Sequence, residues 1–519
     1  MQSITLRIPL RLCGALMALG LAAALPTAQA ENFKVLHSFV TADGPVPAQV
    51  GLMQNTNGEL YGTTAFGGQF GDGSIFKMTL AGAVTTVYSF CPPGGEGNCV
   101  DAVEPGALVL GANGRIYGTT AGGGGESVGA VFEMTQSGAV TGLSFFCGLP
   151  VSGENACGAY PVGALVQAAN GSFWGVTQEG GTLGQGAKYE IGPSGVLGSV
   201  ASFGCIETNC NNQDFLVAGL IQGTDGSFYG TTEEGGTGVF GGGVDTTQFG
   251  GSIFKIRGNK ITTLYNFCSQ SDCADGQAPR GALVEGTDGN FYGTTAFGGT
   301  GTNCTNPAPN ILGCGTVFKI TPTGTLTTLH NFCLQSGCAD GQNPTAALIL
   351  GSDGNFYGTN SYGNPDSNQC SDFTCGTIFE ITPSQTLTTL YRFCSQQGCP
   401  SGGAPVAPLM QDTNGDFYGT TTVGGNNSNG GTIFRLSTGL GPFVKTVPTA
   451  GLAGAEIMIL GHALTGTSSV SFNGTAATFT AVSDNSIKAT VPTGATSGTV
   501  QVTTPTATLS SNIGFLVEP

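Results

Sequence analysis

The sequence predicts an all-β protein: a seven-bladed β-propeller of four-stranded blades, its last blade closed by the N-terminal strand, followed by an immunoglobulin-like β-sandwich. Three observations carry that prediction. A motif of the type TDGNFYGTT (residues 287–295) is written seven times, four runs of strand character accompany each complete copy, and the strand that the last copy lacks stands at the front of the chain.

The copies align on Tyr61, Tyr117, Trp174, Tyr229, Tyr292, Tyr357 and Tyr418, at intervals of 55 to 65 residues. A period of this length corresponds to one supersecondary unit per copy. Residues 279–332 show the unit in full, with the runs GALVEG, NFYGTTA, GTVFKI and TLTTLHNF separated by TDG, a Gly-rich loop and TPTG. β-Branched and aromatic residues favour strands, and the Gly-centred breaks favour turns. The Asn-Gly or Asp-Gly pair before the aromatic strand predicts a type I′ hairpin. Four antiparallel strands repeated about an axis make a propeller blade. One aromatic per blade at a fixed strand position predicts packing between blades in preference to a glycan-binding surface.

The chain ends are permuted in a way that predicts closure. The seventh copy stops at GGTIFRLSTG (residues 430–439) without a fourth strand, whereas FKVLHSF (residues 33–39) matches the fourth strands TLTTLHNF and TLTTLYRF and precedes any first strand of its own. An N-terminal strand that completes the last blade leaves no open sheet edge, a need that an open solenoid would not have.

The first 30 residues read as a secretory signal peptide: Arg7 and Arg11 precede an apolar run that closes on Ala28, Gln29 and Ala30. Removing it takes the formal charge from −17 to −19, because the leader carries two arginines and no acid. Such acidity argues against nucleic acid and anionic membranes as partners. No later stretch is apolar enough to cross a bilayer, so no membrane insertion is expected, and a monomer is. The predicted location is extracellular, periplasmic or on the cell surface.

Sixteen of the 17 cysteines lie beyond the leader and fall into close neighbours: Cys91 and Cys99, Cys147 and Cys157, Cys205 and Cys210, Cys268 and Cys273, Cys304 and Cys314, Cys333 and Cys338, Cys370 and Cys375, Cys394 and Cys399. In an oxidising compartment this predicts eight local disulfides that staple loops. Zinc is the weaker reading, since the gaps within the pairs are wider than C-x2-C. Beyond residue 440 the repeat gives way to short alternating strands without a cysteine pair, which predicts a second domain over residues 441–519, after a propeller over residues 31–440.

Two resemblances add to this reading. NG or DG, then FYGTT, GG and GTVFKIT, recurring over nearly all of residues 31–440, resemble the Gloeo/Verruco (GloVer) tandem repeats. That resemblance implies a secreted bacterial repeat protein, of a family whose activity is not generally established. VPTAG, GAEIMILGHAL, VSFNGTAATF and SIKATVPTGATSGTVQVTTP, in this order, resemble the IPT/TIG domain. It implies an Ig-like module that serves as a spacer or binding unit in surface proteins.

Candidate chemistry is sparse. His37 and His330 occupy outer-strand positions that Tyr88, Tyr265 and Tyr391 take in sister repeats, and His462 lies in the tail, so a Ser-His-Asp or Cys-His arrangement is not expected. Where most copies read AFGG, AGGG or TVGG after the second strand, two break the pattern with Glu179 and with Glu233 and Glu234. Two carboxylates on one rim are the minimal apparatus for acid and base work on a glycan, although drift of an exposed loop explains them as well. Arg280 stands at the entry to a first strand where other copies have Ala, Val or Thr, placed to meet an anionic ligand or solvent. Asp412, Asn414 and Asp416 imitate the first ligands of a calcium loop, but turn chemistry favours the same residues without metal. No cofactor is expected, calcium being the weak exception.

Strong repetition without a differentiated catalytic cluster predicts a secreted, non-enzymatic protein for extracellular or envelope binding, with a glycan or a surface protein as ligand. The alternative is a propeller-based polysaccharide lyase or glycoside hydrolase that uses carboxylates at the channel mouth. Its candidates would be Glu179, Glu233, Glu234 and Arg280.

Overall fold

The five positions that read Phe-Tyr-Gly-Thr-Thr in residues 291–295 form one strand in every repeat, and each has a separate task. The computed structural model describes residues 32–518 apart from 41–50, 93–102, 124–127, 147–157, 182–183, 193, 204–215, 237–238, 241–247, 305–312, 335–336, 364–374, 397 and 427–429. The motif strands are Leu60–Thr64, Ile116–Gly122, Phe173–Gly180, Phe228–Thr232, Phe291–Thr295, Phe356–Asn360 and Phe417–Thr421. Each is the second strand of a four-stranded antiparallel sheet, giving seven such sheets along the repeats among the described residues.

The tyrosine faces the next sheet. Tyr292 stacks on Phe356 with ring centroids 3.9 Å apart, and Tyr229 on Phe291 and Tyr357 on Phe417 repeat the contact at 3.9 and 4.2 Å. The first motif residue of one sheet thus receives the tyrosine of the sheet before it. Where the ring is absent an aliphatic residue serves, since Tyr61 shares a core with Ile116, and Tyr418 with Leu60. The expected packing of the aromatics between sheets is what the structure shows.

The glycine leaves room for a third-strand ring: a Cβ on Gly293 would lie 2.6 Å from Phe318 Cζ, and one on Gly62 would lie 2.5 Å from Phe76 Cζ. The first threonine reaches the next sheet, Thr294 Oγ1 donating to Ala346 O at 3.1 Å and Thr231 Oγ1 to Gly281 O at 3.2 Å. The second ties its strand to the third, as in the 2.8 Å contact of Thr295 with Thr316. All five residues are buried in Leu60–Thr64, Phe291–Thr295 and Phe417–Thr421.

Two expectations change. In the turn before the motif only the glycine takes a positive φ, 72° at Gly289, and its N–H donates to Gly286 O at 3.0 Å. The turn is therefore a type I turn followed by a left-handed glycine, not type I′. In five sheets the first strand is also shorter than the run GALVEG predicts, as where only Val284–Glu285 pairs in the fifth, whereas the second and third sheets have the longer first strands Val103–Leu110 and Gly158–Gln167. Gly281, at the start of that run, instead lies between sheets, where its carbonyl meets Thr231 on one side and a Cβ would touch Ala346 O at 2.7 Å on the other.

The N-terminal strand Phe33–Ser38 pairs antiparallel with Thr432–Leu436, with Phe33 opposite Leu436, so it supplies the fourth strand of the seventh sheet. The seventh sheet packs in turn on the first: Leu52, Leu60 and Phe76 share one core with Met410, Tyr418 and Ile433.

Disulfides join Cys268 to Cys273, Cys304 to Cys314, Cys333 to Cys338 and Cys394 to Cys399. Cys91 and Cys375 are also disulfide-bonded. The partners expected for these two, and the pairs Cys147 with Cys157 and Cys205 with Cys210, lie outside the described residues, as does the leader.

Beyond the seventh sheet, the strands Lys445–Val447, Glu456–Leu460, Ser486–Thr490 and Phe479–Ser483 form one sheet, and Thr475–Ala476, Ser469–Phe472, Val500–Thr503 and Thr508–Ser510 form another. Both contribute to one core, with Ile457, Ile459 and Ile487 from the first and Val470, Phe472 and Val502 from the second.

Candidate functional site

Every repeat sheet presents its hairpin turns, between first and second strands, at one end and the loops that follow second strands at the other. The rim acids belong to the second end. Glu233 and Glu234 follow the strand Phe228–Thr232, and Arg280 enters the next sheet beside them. Arg280 Nη2 lies 2.5 Å from Glu233 Oε1 and its Nε donates to the same oxygen at 2.7 Å. The guanidinium also sits 5.4 Å from the centre of the Phe297 ring. Glu234 is exposed, and its pKa is raised by partial desolvation against the rim and by the Glu233 charge, with Arg280 opposing.

Glu179 lies in the strand Phe173–Gly180, opposite Ala159. Among the described residues no hydrogen bond or ion pair joins its side chain to the Glu233–Arg280 pair. The structure thus brings together three of the four rim candidates, as one ion pair with a neighbouring carboxylate.

The calcium-like run meets protein donors. Asp412 is fully buried, and its Oδ1 lies 2.6 Å from His462 Nε2 and accepts from Asn414 N at 3.0 Å. Asn414 Oδ1 accepts from Asp416 N at 2.8 Å, and Asp416 Oδ2 pairs with Arg435 at 3.1 Å. In the fifth repeat the position of Asn414 holds an aspartate with a different partner: Asp288 Oδ2 accepts from Tyr292 OH at 2.9 Å. The sulfurs of Cys375, Cys394 and Cys399 come within 4.8 Å of one another, but all three belong to disulfides. His330 Nε2 contacts Asp340 at 2.9 Å on an outer strand, Leu326–Asn331.

A second site was not visible in the sequence. The tail docks on the hairpin-turn end of the sheets: Ser483 Oγ donates to Thr56 O at 3.1 Å, Asn485 Nδ2 to Asn57 O at 3.2 Å, Asn512 Nδ2 to Leu350 O at 2.9 Å, and Gln222 Nε2 to Glu518 at 2.8 Å. Met458 and Leu460 join the core built by Tyr61, Leu110 and Ile116. Between the tail and the first strands of the fifth, sixth and seventh sheets lies a cavity of about 320 Å³. Lys445 lines it, donating to Gln411 O, and desolvation lowers its pKa to about 8 despite the nearby Asp412 charge. One signal was available: Asp412 stands where five sister turns have Gly111, Ala168, Gly223, Gly286 and Gly351. That departure marks one of the turns that meet the tail, through His462.

The family model described as the Gloeobacter/Verrucomicrobia repeat matches residues 25–244 and 239–481. None of the curated proteins compared matches the chain. Among solved structures, the chain is similar to the extracellular domain of a hybrid two-component system from B. thetaiotaomicron, at 12% identity and a TM-score of 0.45, over 83% of this chain and 45% of that one. It thus spans less than half of that domain. A 6-phosphogluconolactonase from Bacteroides uniformis is similar at 11% identity and a TM-score of 0.39, over 65% of this chain and 83% of that one. The aldose sugar dehydrogenase of Streptomyces coelicolor is similar at 11% identity and 0.35, over 64% and 93%.

Proposed function

Because the chain belongs to the Gloeobacter/Verrucomicrobia repeat family, we propose that it is a secreted, non-enzymatic seven-bladed propeller whose Ig-like IPT/TIG module closes one end. Its ligand is an extracellular glycan or a surface protein. Contact of the seventh sheet with the first, and completion of the seventh by the N-terminal strand, support the propeller reading. The disulfides support an oxidising compartment. With the tail over the hairpin turns, the end left for a large ligand is the one that carries Glu233, Glu234 and Arg280.

The observation that carries the non-enzymatic reading is the Arg280–Glu233 ion pair. Both guanidinium contacts fall on Glu233 Oε1, so this carboxylate is engaged with Arg280 and not presented to a substrate. The second reading, a polysaccharide lyase or glycoside hydrolase, draws on the raised pKa of Glu234, the direction that a general acid requires.

Retention of the chain from Glu31 to Pro519 on a glycan array and on insoluble polysaccharides tests the binding role. Retention on a defined glycan, weakened by Arg280→Ala, is the expected result. No retention on any glycan would move the assignment to a protein partner.

A further inference from the structure

We propose that the cavity between the repeat sheets and the tail binds a small apolar ketone or aldehyde, whose carbonyl oxygen accepts a hydrogen bond from Lys445. The walls argue for an apolar body. Leu348, Leu409 and Met410 come from the repeat sheets, and Val447 and Ile513 from the tail. At about 320 Å³ the space equals that of about ten waters and stands at the small end of ligand sites. Sugars, which need a polar partner for each hydroxyl, do not fit such walls.

The polar group of the guest follows from Lys445. Its ammonium has three donors. One goes to Gln411 O, and Met410 Sδ, 4.0 Å away, is a weak acceptor. An acceptor on the guest would complete the set. The charged and titratable groups around this amine are Asp412, which already offsets its charge, and His462, which is held on Asp412. A carboxylate guest would meet the Asp412 charge as well as the ammonium, whereas a neutral carbonyl accepts without adding charge. Of the polar side chains in the lining, Gln411, Ser511 and Asn512 already bond within the protein, to Gly415 O, Val500 N and Leu350 O, so a carbonyl, which brings no donor of its own, asks nothing more of them. Burial lowers Lys445 to about 8, so a fraction of the amine is neutral at mild alkaline pH and can report on an aldehyde in the cavity.

The test uses the whole chain after the leader, with octanal and cyanoborohydride at pH 8. The neutral Lys445 Nζ attacks the aldehyde carbon, water leaves, the imine nitrogen takes a proton from solvent, and hydride from the cyanoborohydride adds to the carbon to give a secondary amine. Peptide mapping should find Lys445 alkylated ahead of the seven other lysines. Excess 2-octanone should protect it at least about fivefold, and sodium octanoate should not. Binding of 2-octanone, measured directly by calorimetry, should weaken about tenfold in Lys445→Met, the size expected for a hydrogen bond to a charged group. It should weaken also in Ile513→Trp, a substitution at a partly exposed wall position that leaves the amine in place. Absence of protection by 2-octanone, protection by octanoate equal to it, or unchanged 2-octanone affinity in both variants would each overturn the proposal.

Discussion

Gln54 Nε2 donates to Thr413 Oγ1 at 2.7 Å, joining residues 359 positions apart, the turn of the first repeat sheet to that of the seventh. Thr413 N returns a hydrogen bond to Gln54 Oε1 at 3.2 Å. This pair, with the core that Leu52, Leu60 and Phe76 share with Met410, Tyr418 and Ile433, joins the last sheet to the first, and the N-terminal strand completes that last sheet.

Deleting Phe33–Ser38 should therefore damage the far end of the chain. Thr432–Leu436 would become an unpaired edge, which exposes a row of backbone donors and acceptors. Amide hydrogen exchange should show loss of protection over residues 417–436 and little change over residues 291–331. Uniform protection in the deleted chain would mean that the strand is dispensable for closure.

Within the motif, Gly293→Ala and Gly289→Ala separate packing from conformation. The first drives a methyl into Phe318 and should cost about 1–3 kcal/mol through overpacking. The second has no atom within 4 Å of its Cβ, but a φ of 72° should still cost about 1–2 kcal/mol. Urea unfolding measures both. Relief of the Gly293→Ala penalty by Phe318→Leu, with none for Gly289→Ala, is the expected pattern.

The strands, their number per repeat and the permutation were legible in the sequence because each copy repeats the same five-position pattern with conservative changes, so seven samples reinforce one pattern. Glu233 and Arg280 were legible as departures from it, though not that they pair, because the partner lies 47 positions away across a sheet boundary. The type I′ expectation failed because Asn-Gly and Asp-Gly occur in both turn types, and only the backbone of Asp288 distinguishes them. Docking of the tail was illegible: Met458 and Leu460 share the strand Glu456–Leu460 with Ile457 and Ile459, and nothing in an all-apolar run shows which face will meet another sheet.

Asp412 should anchor that docking. Asp412→Ala removes the acceptor for His462 and for the Asn414 N–H, at an expected cost of about 1–3 kcal/mol. Limited proteolysis between Ser437 and Phe443 should accelerate in this variant and remain unchanged in Asp416→Ala, whose partner Arg435 lies within the repeats.

Lys445 makes stability depend on pH in a definite direction. Its ordinary pKa of 10.5 in the unfolded chain falls to about 8 on folding, so between these values the unfolded chain holds a proton that the folded one has released. The contribution of this residue to stability therefore rises with pH from about 8 to 10.5, and the full penalty, up to about 3 kcal/mol, applies below pH 8. Urea unfolding of the parent chain and of Lys445→Met as a function of pH should show the difference between the two narrowing through that window as pH rises.

On the proposed reading the open rim holds a ligand without turning it over. Incubating residues 31–519 with any glycan that retains them, and following new reducing and unsaturated ends, separates binding from turnover. Retention with no new ends, in the parent chain and in Glu234→Gln alike, is the expected result. New ends that disappear in Glu233→Gln or Glu234→Gln would contradict it and assign the rim to catalysis.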